Sequence, residues 1–136
     1  MKKRKKGNSS GLTLVELLLS TAIMAFAIAG TMGVFFNCLF LNSANSNLAI
    51  AESHAQYVLE NIKNADFAGV RSNIDNGVWN YDAAGINGAG LTALNGETIV
   101  TTHGTAANPL DIIVTVQWRD KFNRNRDVFL ETMIEG

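Results

Sequence analysis

The chain has 136 residues, with 11 basic and 12 acidic side chains and a single cysteine, Cys38. One cysteine excludes an internal disulfide, and the length leaves room for one small domain once a membrane helix is subtracted. Five of the basic residues, Lys2, Lys3, Arg4, Lys5 and Lys6, crowd the start. The remainder is acidic, which argues against a general nucleic-acid-binding surface, because phosphate backbones are bound by Lys and Arg.

After the basic cluster, residues Gly7 to Ser10 form a flexible polar stretch that leads into Gly11-Leu12-Thr13-Leu14-Val15-Glu16. From Leu17 to Phe36, twenty consecutive residues carry no charge. That is the length an α-helix needs to cross a bilayer core. Glu16 stands at the head of this run. A carboxylate near the hydrocarbon costs roughly 2.5 kcal/mol or more on insertion scales, so Glu16 marks a functional site that requires a partner. The basic cluster lies ten or more positions upstream, so the partner comes from elsewhere.

These residues resemble the type III signal sequence of type IV pilins and type II secretion pseudopilins. The resemblance implies that a membrane-embedded prepilin peptidase cuts after Gly11 and N-methylates the new terminus, Leu12. It also implies that Glu16 is the family's glutamate, four residues further on. Leu12 stands where Phe or Met is the commonest choice. Without the family, the physical logic is similar. Cleavage creates an ammonium one helical turn from Glu16, and a neighbouring subunit's ammonium serves equally well. A charged pair in low dielectric adds little net stability, but either charge left unpaired is expensive. Glu16 would therefore pin the axial register between helices. The leader's charges read as the positive-inside signal, which would place residues 1–11 in the cytoplasm and everything after the helix outside it.

Two plainer readings compete, an ordinary secretory signal and an uncleaved anchor. Ala25-Phe26-Ala27 or Ala27-Ile28-Ala29 would serve as a cleavage site. A conventional apolar region is about 7–15 uncharged residues, however, and this one begins beside a glutamate. The pilin-type signal is preferred.

Beyond the apolar run the helical period continues through Leu41, Ala44, Leu48, Ala51, Ala55, Val58 and Ile62. The spacing predicts one helix from Leu12 to about Phe67, roughly 84 Å long at 1.5 Å per residue, its first half projecting and its second packed on the remainder. Cys38 reads as a small hydrophobe in that helix. Gly30 and Gly33 each cost about 1 kcal/mol of helix propensity. They point either to close packing through small residues or to local softness during assembly.

From Gly69 to Gly104 repeated glycines indicate a long connection with at most short strands, in which Trp79 and Tyr81 cover the core. Asp75-Asn76-Gly77 and Asp82 suggest calcium at first sight, but their spacing lacks the pattern of a dedicated loop, and they read as turn residues. Strands follow. Thr98–Thr102 is β-branched, while Asp111–Trp118 alternates with Ile112, Val114, Val116 and Trp118 on one face. Asp127–Ile134 pairs with it, presenting Val128, Leu130, Thr132 and Ile134, and Arg119–Arg126 forms a charged hairpin loop. Val116-Gln117-Trp118-Arg119-Asp120 followed by Leu130-Glu131-Thr132 resembles the end of PilV-type minor pilins and I-type minor pseudopilins.

His54 falls on the polar side of the helix and His103 in a turn, neither within a catalytic or metal motif. The expectation is an α+β, pilin-like protein that is not an enzyme and takes no cofactor, metal or small-molecule substrate. It comprises a leader (1–11), a transmembrane or filament-core helix (12–41), the amphipathic half of that helix (42–67) and a β-sheet head (68–136) of three or four antiparallel strands. The resemblance implies a minor pilin in the bacterial inner membrane that moves into a surface pilus, or a minor pseudopilin in a periplasmic pseudopilus. Its partners would be the prepilin peptidase and N-methyltransferase, other pilin subunits, the inner-membrane assembly platform and the membrane. The reading from another class is a secreted or anchored binding module.

Overall fold

The computed structural model describes residues 13–136, which divide into two compact units, one ending at Leu41 and one beginning at Asn42. The layout is α+β, with a long N-terminal helix and a four-stranded antiparallel sheet, as in a pilin-like fold. Helix α1 spans Leu14–Lys63, fifty residues without a break. It stops short of the expected Phe67. The Asn64 N–H still bonds the Glu60 carbonyl, but the Ala65 N–H turns to the Ile62 carbonyl at 3.1 Å and ends the α-helical ladder.

A second helix, α2, follows at Phe67–Asp75. The long connection expected from Gly69 therefore needs correction, since it begins inside a helix and contains another, α3, at Ala83–Gly88. Phe67, Val70 and Ile74 carry the helical period, and Val70 and Ile74 are buried. Gly69 interrupts the composition without interrupting the helix. At the end of α2 the Gly77 N–H donates to Ile74 and the Val78 N–H to Asn73, both at 2.9 Å. Gly77 adopts φ +69°, so the Asp75-Asn76-Gly77 segment is a Schellman stop. Asp82 caps α3 by accepting from the Gly85 N–H at 2.8 Å. These residues carry out the turn roles read from the sequence.

The sheet is a meander in the order β1-β2-β3-β4, formed by Tyr81–Asp82, Thr98–His103, Leu110–Arg119 and Asn125–Ile134. Its inner face is set by the period-two alternation of β3. Leu110, Ile112, Val114, Val116 and Trp118 are all buried, and the register places Val128 opposite Val116 and Leu130 opposite Val114. From α1, Ala51, Ala55, Val58, Leu59 and Ile62 join the same core, together with Val70, Trp79, Ile86 and Ile99. Ala51 and Ala55 have no bulk beyond Cβ, which lets the helix backbone approach the sheet. The predicted stripe buries from Ala51 onward, whereas Ala44 and Leu48 are exposed. Tyr81 packs at the edge of the core, as expected.

The expected eight-residue charged loop shortens to a turn at Asp120–Arg124, because the strand pairing continues out to Arg119 opposite Asn125. One carboxylate organises it. Asp120 Oδ1 accepts the N–H groups of Phe122 and Arg124 at 2.9 and 3.0 Å, and Oδ2 accepts Nε of Arg124 and Arg126 at 2.8 and 3.3 Å. Burial pushes the Asp120 pKa up, but the hydrogen bonds from Arg124 and Phe122 and the Arg124 charge outweigh it and hold the group down at about 2. A depressed carboxylate pKa means that the turn's stability is complete above the unfolded value of 3.8 and is lost as the pH falls through about 2. The Phe122 and Arg124 amide resonances are expected to titrate with a midpoint near 2; a midpoint at the ordinary value of 3.8 would show that the clamp does not form.

Candidate functional site

At the head of α1, Thr13 and Glu16 form a reciprocal capping box. The Thr13 N–H and hydroxyl donate to Glu16 Oε2 at 2.9 and 3.0 Å, and the Glu16 N–H donates back to Thr13 Oγ1 at 3.3 Å. This Thr-x-x-Glu signature is legible in the sequence beside the charge of Glu16. The box satisfies hydrogen bonds without neutralising the charge. Both bonds fall on Oε2, so Oε1 takes no part in the box. Gly11 and Leu12, the expected cleavage and methylation positions, lie outside the described residues.

Every residue from Thr13 to Asn42 is exposed, including Leu17, Ile23, Phe26, Met32, Phe35 and Leu39. This segment is long and apolar enough to cross a membrane, and none of its most hydrophobic window is buried within the chain. Its hydroxyls suit such surroundings. Ser20 donates to the Glu16 carbonyl, Thr21 to Leu18 and Thr31 to Ala27, at 2.7–2.9 Å. Each of these three hydroxyls is thus satisfied inside the helix, as lipid favours. α1 runs through Gly30 and Gly33, where an added Cβ would meet no atom within 4 Å. Packing within the chain does not require glycine at either position. Cys38 is a free, exposed thiol on the same segment.

The second unit contains a buried hydrogen-bonded His–Glu pair that helical periodicity alone does not reveal. His54, placed there on the polar side of α1, is buried, with 4% exposure, and Glu97 beside it has 1%. Their contact, His54 Nδ1 to Glu97 Oε1, measures 2.7 Å, and Glu97 Oε2 accepts the Leu94 N–H at 2.6 Å. The pair joins α1 to the segment leading into β2. Helical periodicity does place position 54 beside the stripe residues Ala51, Ala55 and Val58, but a histidine there reads as polar until its partner, 43 residues away, is known. His103, at the end of β2, donates from Nδ1 to the Gly104 carbonyl at 2.7 Å and contacts Asp75 at 3.0 Å through Nε2. The Gly104 carbonyl first, and then Asp75, favour the charged imidazolium and raise its pKa, against a smaller opposing effect of burial. Arg71 reaches the Thr105 carbonyl at 3.1 Å, so α2 is tethered twice to the end of β2.

Among the described residues, no group of three or more His, Cys, Asp or Glu side chains could hold a metal ion. His54 is paired with the Glu97 carboxylate, and His103 with the Asp75 carboxylate and the Gly104 carbonyl, and no nucleophile takes part in either contact. The site-like features are therefore of two kinds, an exposed apolar helix headed by one carboxylate and buried polar ties within the head. No family model, curated protein or solved structure matches this chain.

Removing one partner of a buried pair strands the other. Glu97→Ala is accordingly expected to cost about 1–3 kcal/mol in denaturant unfolding, whereas His54→Leu combined with Glu97→Met should recover much of that loss. A double variant that loses as much as the two single variants together would show that the pair has no coupling.

Proposed function

We propose that this chain is a structural subunit of a type IV pilus, a minor pilin inserted in the inner membrane, processed after Gly11 and assembled through α1. The observation that carries this reading is the combination of Gly11-Leu12-Thr13-Leu14-Val15-Glu16 with an exposed apolar helix on a pilin-like α+β layout. An apolar surface of this extent needs either lipid or other helices around it. A bundle of like helices supplies the same contacts as lipid, so a subunit can pass from one to the other at small hydrophobic cost. Glu16 makes that transfer selective. Its capping box holds the carboxylate at the helix start, with Oε1 turned to no partner in the box, and a neighbouring subunit's Leu12 ammonium would neutralise it at one axial offset. The pattern Val116-Gln117-Trp118-Arg119-Asp120 with Leu130-Glu131-Thr132 at the ends of β3 and β4 resembles both PilV-type minor pilins and I-type minor pseudopilins, so a minor pseudopilin of type II secretion is the second reading.

In this proposal the prepilin peptidase supplies the cleavage and N-methylation, and the inner-membrane assembly platform and other pilin subunits are the partners. The head contributes surface rather than turnover.

The native protein extracted from membranes should begin at methylated Leu12, and Gly11→Val should abolish that processing; an intact Met1 in the unaltered chain, or a start beyond Ala27, would overturn the assignment. Glu16→Ala is expected to keep insertion and cleavage while lowering recovery in sheared filaments roughly tenfold or more, as for a buried charge left without its partner. Wild-type recovery of that variant would remove Glu16's role in register.

A further inference from the structure

β4 is the last strand of the sheet, so one of its sides carries no neighbouring strand. The register decides which backbone groups lie on that side. The Gly104 N–H donates to the Asp111 carbonyl at 2.8 Å and the Arg119 N–H to the Asn95 carbonyl at 2.9 Å, so the odd-numbered residues of β3 bond towards β2. The even-numbered ones bond towards β4, as the Asp120 N–H does to the Arg124 carbonyl at 2.9 Å. Pairing of Val114 with Leu130 and of Val116 with Val128 then turns the N–H and C=O groups of Asp127, Phe129, Glu131 and Met133 away from β3. Among the described residues these backbone groups have no hydrogen-bond partner.

This edge lacks the usual protections. β1, at the other edge, is two residues long, whereas β4 pairs through ten residues in one unbroken register and contains neither proline nor lysine. The residues with outward backbone groups also carry their side chains on the solvent face of the sheet. Phe129 and Met133 are 61% and 65% exposed, and the exposed acids Asp127 and Glu131 alternate with them. Arg119, the basic residue of β3 on that face, packs beside Gly96 on the far side of β3. The strip along β4 is therefore acidic and apolar in turn. A second copy fits it poorly. In antiparallel pairing of two such edges, Phe129 opposite Phe129 sets Asp127 against Glu131. Phe129 opposite Met133 sets Glu131 against Glu131, and Met133 opposite Met133 sets Glu131 against Glu135. Each register that joins the apolar side chains brings like charges face to face, which is unfavourable.

We propose that the β4 edge is a docking site for an extended segment of a different polypeptide, which adds a strand antiparallel to β4. Charge complementarity defines the partner. It carries basic side chains opposite Asp127 and Glu131 and apolar ones opposite Phe129 and Met133, that is, a basic residue at every fourth position with an apolar residue midway between. The partner's backbone supplies the hydrogen bonds that the edge lacks, and its alternate side chains supply selectivity. An acidic segment meets the repulsion that excludes a second copy. The site belongs to the head alone and goes beyond the pilin reading, on which it does not depend.

The test uses the full-length chain in neutral detergent and a synthetic heptapeptide with valine at its first and fifth positions, lysine at its third and seventh, and threonine between. Amide hydrogen exchange is read residue by residue. In the free chain Arg126, Val128, Leu130 and Thr132, whose N–H groups bond β3, should exchange slowly, and Asp127, Phe129, Glu131 and Met133 fast. Saturating peptide should slow the four fast amides roughly tenfold or more. Glutamate in place of both lysines should abolish the effect. Glu131→Lys should weaken the lysine peptide and admit the glutamate one. Glu131→Pro removes one outward N–H without touching the β3 ladder, and should weaken the lysine peptide beyond the effect of Glu131→Gln while the slow amides stay slow. No slowing at millimolar peptide, equal slowing by the two peptides, or a Glu131→Pro variant that binds as well as Glu131→Gln would each overturn the site. Slowing in the peptide-free chain that grows with its own concentration would overturn it in favour of a second copy. The residue at which the native chain begins has no bearing on these outcomes, so this site and the pilin reading fail separately.

Discussion

The head depends on one stripe of α1 being covered by the inner face of the sheet. Ala51, Ala55, Val58 and Ile62 are fully buried, as are Ile112, Val114 and Val116 of β3. At about 25 cal/mol per Å² of apolar surface, this shared core is the main favourable contribution to a domain of this size. The remaining elements complete it. α2 adds Val70 and Ile74, α3 adds Ile86, and the segment between them adds Trp79. A domain that draws one wall of its core from the long helix cannot release that helix without opening.

Polar groups inside this core are spent on fixing connections. Glu97 ties the segment before β2 to His54 and to the Leu94 N–H. Thr101 ties β2 to the segment before β1 through the Trp79 carbonyl and the Asn80 side chain, at 3.1 and 2.8 Å. Among the described residues, no buried side-chain polar atom lacks a partner. Such pairs add little net stability compared with apolar packing, but they penalise every arrangement that separates them. The polar, glycine-punctuated region from Gly69 to Gly104 acquires a definite path in this way, without a disulfide.

Much of the fold was legible because periodicity is local. The alternation of β3 and the three-four spacing of α1 specify which side chains share a face whatever the rest of the chain does. The shorter helices were less legible. α2 is nine residues long, with a glycine in its first turn, and α3 is six, with three glycines in and around it, so neither contains enough turns for a pattern to stand out. The hairpin loop looked longer than it is because charged residues are compatible with either a loop or an exposed strand end. Its true length depends on Asp120 collecting donors from Phe122, Arg124 and Arg126.

The sequence by itself determined the apolar helix, the carboxylate at its head, the strand faces and the absence of an internal disulfide, since each follows from residues near one another or from a count. Tertiary structure alone decided that His54 is buried, that Glu97 is its partner, that Asp75 meets His103, and that β4 forms an edge of the sheet. The physical reason is distance along the chain. A histidine on the flank of an amphipathic helix is polar or buried according to what packs on it, and that is set by a residue 43 positions away.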